Sequence, residues 1–250
     1  MSAVARTRLA IVATFMALLE LLTRTGAISE LVIIPPSAMA THLWTLLATG
    51  QLNAAMAQTF ANIAIAFALS VTVGFVSGAA IHALPRLRRL LDPLLASYYA
   101  IPFFVFYPLL IALLGLNRWP LVAIGFVFGA AAMVIATLNG LDRVPRVLRK
   151  VAKVHRMSRR EEVLRIVLPA AVPYLFTGLK LSLAYAFIGI LAGEFILSGG
   201  GLGFSIAFSY DAFDNPTMYA LMLFVLALAV ALNSSLDWWE QRLMRRRGRA

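Results

Sequence analysis

Long apolar runs, parted by short polar segments, dominate the pattern along this chain. A hydrocarbon core of about 30 Å takes about 20 mostly apolar residues to cross as a helix. Six stretches qualify, roughly 9–25, 59–82, 94–115, 119–140, 175–197 and 216–236. The first is short, carries Glu20, and follows Arg6 and Arg8 much as a signal peptide would. No small-residue cleavage site follows it, so it reads as a retained helix. Residues 31–85 hold no charged side chain, but Pro35-Pro36 interrupts the run, and the part to about Leu52 carries Thr41, His42, Thr45 and Gln51. That part predicts an interfacial helix outside the bilayer, leaving one span at 59–82. The glycine run from Gly199 to Gly203 predicts a helix-ending turn and then a short external helix over about 202–213.

Composition agrees with lipid as the solvent. The chain is 61% hydrophobic and 13% charged, where a soluble domain carries about 25% charged residues. Its net charge of +11 follows topology and not nucleic-acid binding. With six spans and both termini in the cytoplasm, the inner segments hold Arg6 and Arg8, then Arg86, Arg88 and Arg89, then nine basic residues from Arg143 to Arg165, and five from Arg242 to Arg249. Those are 19 of the 22 Lys and Arg, with only Arg24 and Arg118 outside and Lys180 within a span, as the positive-inside rule requires. The expected architecture is all-α and integral to the membrane, a single transmembrane domain over 1–250.

Enzymatic chemistry is nearly excluded. There is no cysteine, and His42, His82 and His155 lack the spacing of a metal site. No Gly-Lys dipeptide occurs, so no Walker A loop can hold ATP. Ser205 lacks the second glycine of a nucleophile elbow, and Asn233-Ser-Ser is a glycosylation triplet stranded in an apolar span. Neither catalytic residue, metal nor cofactor is expected. Gly74/Gly78, Gly125/Gly129 and Gly189/Gly193 are small-residue pairs four apart, suited to close helix packing in lipid. Pro102 and Pro108 free carbonyls inside the third span. Lys180 sits about one turn inside the inner interface, where its stem can snorkel to water. Glu20 has Arg24 one turn away. Glu194, near the outer end of the fifth span, could face a pathway, cap a structural network at an outer gate, or sit in water.

The segment 142–173 is basic and helix-compatible. Val147, Val151, Val154 and Met157 recur at spacings of 3 and 4, giving an apolar stripe among basic residues, the form of a helix laid into a partner's groove. A basic loop resting on anionic lipid heads is the plainer alternative. This segment resembles the cytoplasmic "EAA" loop of ABC-importer permeases. Pro35-Pro36-Ser37, Leu91-Asp92-Pro93, Ala100-Ile101-Pro102, Leu168-Pro169-Ala170, Thr177-Gly178-Leu179-Lys180, Ala192-Gly193-Glu194-Phe195 and Gly201-Leu202-Gly203 are similar to landmarks of the nitrate, sulfonate and taurine-type permeases. They follow that family's order over roughly 30–240. The likeness departs at two places: the family's Glu-Ala-Ala falls on Lys150-Val151-Ala152, and its glycine on Arg156.

The resemblance implies a type I importer-like permease in a bacterial inner membrane that hydrolyses nothing itself. Two copies would form the pore, two ATPase subunits would bind below, and an external solute-binding protein would deliver a small anionic solute. In that reading Val147, Lys150, Val151, Ala152, Val154, Arg156, Met157 and Ser158 form the ATPase-coupling surface. Tyr99, Phe103, Tyr107, Tyr185 and Glu194 are the candidates for the translocation pathway. A secondary transporter is the alternative, although the chain shows no internal duplication of the kind such folds often carry.

Overall fold

A computed structural model describes the backbone of residues 3–29, 32–197 and 199–247, and every regular element among them is helical. Two compact units are distinguished, one of Met1–Gln58 with Glu194–Leu228 and the other of Thr59–Gly193 with Ala229–Ala250. Among the described residues, four helices are long and apolar enough to cross a membrane: Asn53–Ala83, Trp119–Asp142, Arg159–Ile196 and Asn215–Leu243.

The first unit begins with α1 (Ala3–Arg24) and α2 (Pro36–Ala48). Proline opens α2 at its first position, where the missing N–H is no loss. Glu20 reaches from α1 to that helix start. Its carboxylate accepts from Ser37 N at 3.0 Å and Ser37 Oγ at 2.5 Å, and it also pairs with Arg24 at 2.6 Å. The Arg24 pairing is the expected one; the cap on α2 is additional. α1 carries Arg6, Arg8, Glu20 and Arg24 along its length, and it is not one of the four apolar helices. Short helices stand where they were anticipated, at about 37–52 and 202–213, as α2 and as α10 (Leu202–Asp211).

The second unit is organised around α6 (Trp119–Asp142), between α3 (Asn53–Ala83) and the long α9 (Leu168–Leu197). Glycines let these helices touch backbone to backbone. A Cβ at Gly74 would meet Met133 Cβ at 2.7 Å, one at Gly78 would meet Thr137 Cβ at 2.8 Å, and one at Gly189 would meet Gly125 Cα at 3.0 Å. Two buried hydroxyls add bonds to α6 carbonyls that its own ladder already uses. Ser70 Oγ donates to Phe126 O and Ser182 Oγ to Gly129 O, each at 2.9 Å. In lipid, where hydrophobic burial does not hold helices together, such close packing and hydrogen bonding do.

The continuous span expected over 94–115 is not a single helix. The chain forms α4 (Pro85–Ser97), two 3₁₀ turns (Tyr98–Ala100 and Phe103–Phe106) and then α5 (Tyr107–Leu114). Proline pushes the residue before it out of the helical region, and Ile101 is extended with φ −82 and ψ 119. Pro102 lacks the N–H that would resume the ladder. Gly115, with φ 81, ends α5. The break is filled by rings: Phe103 lies 4.7 Å from Tyr98 and 5.5 Å from Phe128, and the Tyr98 hydroxyl donates to the Val127 carbonyl.

Candidate functional site

Between α6 and α9 lies the basic segment singled out above. Pro145 precedes α7 (Arg146–Val154), and α8 (Arg159–Glu162) runs through a π-helical turn (Val163–Val167) straight into α9. Ser158 starts this second helix with a capping box. Its hydroxyl accepts from Glu161 N at 3.3 Å, and Glu161 Oε2 accepts from Ser158 N at 2.9 Å. The pattern Ser158-x-x-Glu161 is a readable start signal that the sequence reading passed over.

α7 is strongly two-faced. Val147, Val151 and Val154 stand 67%, 41% and 80% exposed on it, while Ala152 is only 1% exposed. The apolar stripe is therefore presented outward, with Lys150 and Arg156 exposed beside it and Met157 half-buried. Ala152 departs from the expectation. It faces the chain's own interior and seats α7 instead of standing ready for a partner.

The helix ends in a Schellman turn: Arg156 N bonds Lys153 O and Met157 N bonds Ala152 O, each at 3.0 Å. The residue in the left-handed position is Arg156, φ 50, the place that glycine takes in the resembling family. Glycine is usual there because it has no Cβ. The turn thus keeps its shape without the residue that makes it easy.

The carboxyl-terminal end of α6 carries a polar cluster. Arg88 on α4 makes a forked pair with Asp142, at 2.6 and 2.5 Å, and these bonds hold the guanidinium pKa above its ordinary value. His82 Nε2 lies 3.4 Å from Asp142 Oδ1. Arg149 of α7 donates from Nη2 to the Leu141 carbonyl at 3.3 Å, and Arg143 lies over the Tyr174 ring at 5.2 Å. Leu141, Val144, Val167 and Ala171 form a small apolar core beside it.

Of the pathway candidates, the Tyr99 side chain lies outside the described residues. Phe103 sits in the ring cluster at the break, Tyr107 is buried, and Tyr185 on α9 is half-buried. Lys180, expected to snorkel, is instead paired with two carboxylates of α11 (Asn215–Arg247), Asp237 at 2.7 Å and Glu240 at 2.5 Å. It borders a cavity of about 230 Å³ with Leu183, Phe187, Ile188, Leu232 and Asn233. No sequence signal joins residues that far apart.

Glu194 in the other unit is wholly buried, 0% exposed. Its Oε2 accepts from Gly203 N at 3.2 Å, in the first turn of α10 (Leu202–Asp211). Gly201 has φ 99, and any Cβ there would overlap the Glu194 carboxylate. The glycine run is wrapped around this acid, which accepts a hydrogen bond at the N-terminal end of α10.

The family described as "binding-protein-dependent transport system inner membrane component" matches residues 70–249. A nitrate import permease protein, NrtB, of Leptolyngbya laminosa is 25% identical over 76% of this chain and 68% of its own. A bicarbonate transport system permease protein, CmpB, of Synechococcus elongatus is 28% identical over 75% and 69%. A probable ABC transporter permease protein of Brucella abortus is 30% identical over 89% and 90%. Among solved structures, a chain of the MetNI methionine ABC transporter in inward-facing conformations has a TM-score of 0.61 at 20% identity, covering 76% of this chain and 92% of that one. Helices, landmarks and matched length agree, and the chain belongs to the binding-protein-dependent inner membrane components, the permeases of ABC importers.

Proposed function

We propose that this chain is the membrane-spanning permease of an ATP-driven importer for a small anionic solute, with six spans and both termini in the cytoplasm of a bacterial inner membrane. Relatives named for nitrate and bicarbonate import support an anion as cargo. Two copies form the pore, two separate ATPase subunits bind from the cytoplasm, and an external binding protein delivers the solute. Tyr99, Phe103, Tyr107 and Tyr185 line the route. The apolar bodies and polar tips of the three tyrosines suit passage without tight binding, and opening has to uncover Tyr107. Glu194 holds the outer gate.

One observation carries this reading: α7 presents three valines outward with basic side chains around them. The bundle leaves that stripe uncovered, and a helix of this form docks in a groove. Val147, Lys150, Val151, Val154, Arg156, Met157 and Ser158 make the ATPase contact, seated from behind by Ala152. Val151→Asp places a charge in the desolvated contact at a cost of several kcal/mol. The expected outcome is a permease that inserts and melts normally but no longer retains its co-expressed ATPase during purification. Wild-type recovery of ATPase with Val151→Asp and Val154→Asp together would refute the docking surface.

A further inference from the structure

The inner end of α6 is held from three sides within one unit. The fork from Arg88 joins α4 to Asp142 at 2.6 and 2.5 Å, and His82 at the end of α3 lies 3.4 Å from the same carboxylate. Arg149 rises from α7 and caps the Leu141 carbonyl at 3.3 Å. Carbonyls in the last turn of a helix lack intrahelical partners, and cations are favoured there by the dipole. Two arginines from two different helices thus meet consecutive residues at one helix end. α6 is also the most buried of the four long helices, with 67% of its apolar window inside. A displacement of its end cannot be absorbed locally, because a close-packed interior transmits strain.

Arg149 adds a second feature. Its Nε is buried with no hydrogen-bond partner among the described residues. A buried N–H left without a partner is costly in one fixed arrangement. It has a use where a second arrangement exists in which α7 has shifted and that donor finds a carbonyl.

We propose that this cluster is the point at which movement of α7 enters the membrane bundle, with Arg149 pulling on the end of α6 and the Arg88–Asp142 fork passing the motion to α4. These are positioning residues, and the assignment rests on the reading of α7 as the ATPase-docking helix. The fork suits the task because it fixes orientation as well as distance, so α4 and α6 move together. The apolar core of Leu141, Val144, Val167 and Ala171 lies alongside as the bearing surface.

The chain has no cysteine, which allows a reporter that needs no knowledge of the solute. Ala96→Cys, exposed on α4 beside a cavity shared with Ile135 and Asn139 of α6, is labelled with bimane in the permease–ATPase complex in nanodiscs. ATP with vanadate is added and the fluorescence change recorded. Arg149→Met and Asp142→Asn are expected to keep the ATPase bound and hydrolysing while the signal falls about fivefold or more. The exchanged pair, Arg88→Asp with Asp142→Arg, restores most of it and answers the objection that a single change merely unfolds this end. A full-sized signal in both single variants overturns the proposal, as does a wild-type complex that hydrolyses ATP without any signal. Loss of ATPase capture in Arg149→Met also overturns it, since the residue would then serve docking. Failure of the docking reading shows separately, as undiminished ATPase capture by Val151→Asp and Val154→Asp together.

Discussion

Arg156 and Phe213 have φ of 50 and 56, each in the left-handed position of a Schellman turn. Phe213 N bonds Tyr210 O, and Asp214 N bonds Ser209 O at the end of α10. A Cβ in that conformation costs roughly 1–2 kcal/mol, offset in glycine by a larger loss of chain freedom of about 0.5–1 kcal/mol. Arg156→Gly and Phe213→Gly should each stabilise the chain by roughly 0.5–1 kcal/mol, seen as a higher Tm of the detergent-solubilised protein. A lower Tm would mean that the arginine or phenylalanine side chain makes contacts worth more than the strain. Arg156→Gly also restores the residue usual in the family and should leave ATPase capture intact. Glu194 is the reverse case, an acid whose surroundings are made of glycine. Glu194→Ala strands the Gly203 N–H at a cost of about 1–3 kcal/mol, whereas Glu194→Gln keeps an acceptor. Anchoring of α10 therefore predicts a lower Tm for Glu194→Ala, a milder loss for Gln, and a loss in Gly201→Ala comparable to that of Glu194→Ala. If Glu194→Gln abolished uptake with an unchanged Tm, the carboxylate charge would be acting on the solute, and anchoring would be the wrong role.

Which elements could be read in advance follows from what fixes each of them. α6, α3 and α11 are long apolar runs, and length with composition is enough to define them. α2 and α10 were legible because punctuation marks them, Pro35-Pro36 before the one and the glycine run before the other. The third span was not legible. Its apolar run is long enough to cross, but Ile101-Pro102 breaks it, and the Phe128 ring of α6 packs against the rings at the break and makes it tolerable. Nothing local announces that filling. The exposed valine stripe of α7 was visible as spacing. That Ala152 turns inward was not, since a small residue among basic ones carries no sign of which side is covered. The cluster on α6 was hidden for the same reason: Arg88 and Asp142 are 54 residues apart, and charge near an inner interface reads as topology before it reads as pairing. The acid under the glycine run was legible as a residue but not in its role. Whether Glu194 faces water, a solute or a helix start is decided by how the loop after it folds back.

At the scale of the whole molecule the arrangement of spans governs everything else, because α7 can meet an ATPase only from the cytoplasm. Lys and Arg are dense from Arg143 to Arg165, while α2 and α10 contain neither. Under the positive-inside rule these are opposite sides of the membrane. The structure supplies better reporters than the sequence would. Ser37 is tied to Glu20 and Arg24 and Ser158 caps α8, so a cysteine at either would disturb what it reports. Thr41 on α2, Asp211 on α10 and His155 at the end of α7 are exposed. In this cysteine-free chain, Thr41→Cys and Asp211→Cys should react with an impermeant maleimide added to intact cells. His155→Cys should react only after the membrane is opened. The proposed cytoplasmic carboxyl terminus at Ala250, outside the described residues, should behave like position 155 when replaced by cysteine. Reaction of His155→Cys in intact cells would put α7 on the outer face. No ATPase could then reach it, and the docking surface and the transmission through α6 would fall together, while the anchoring of α10 by Glu194 would stand.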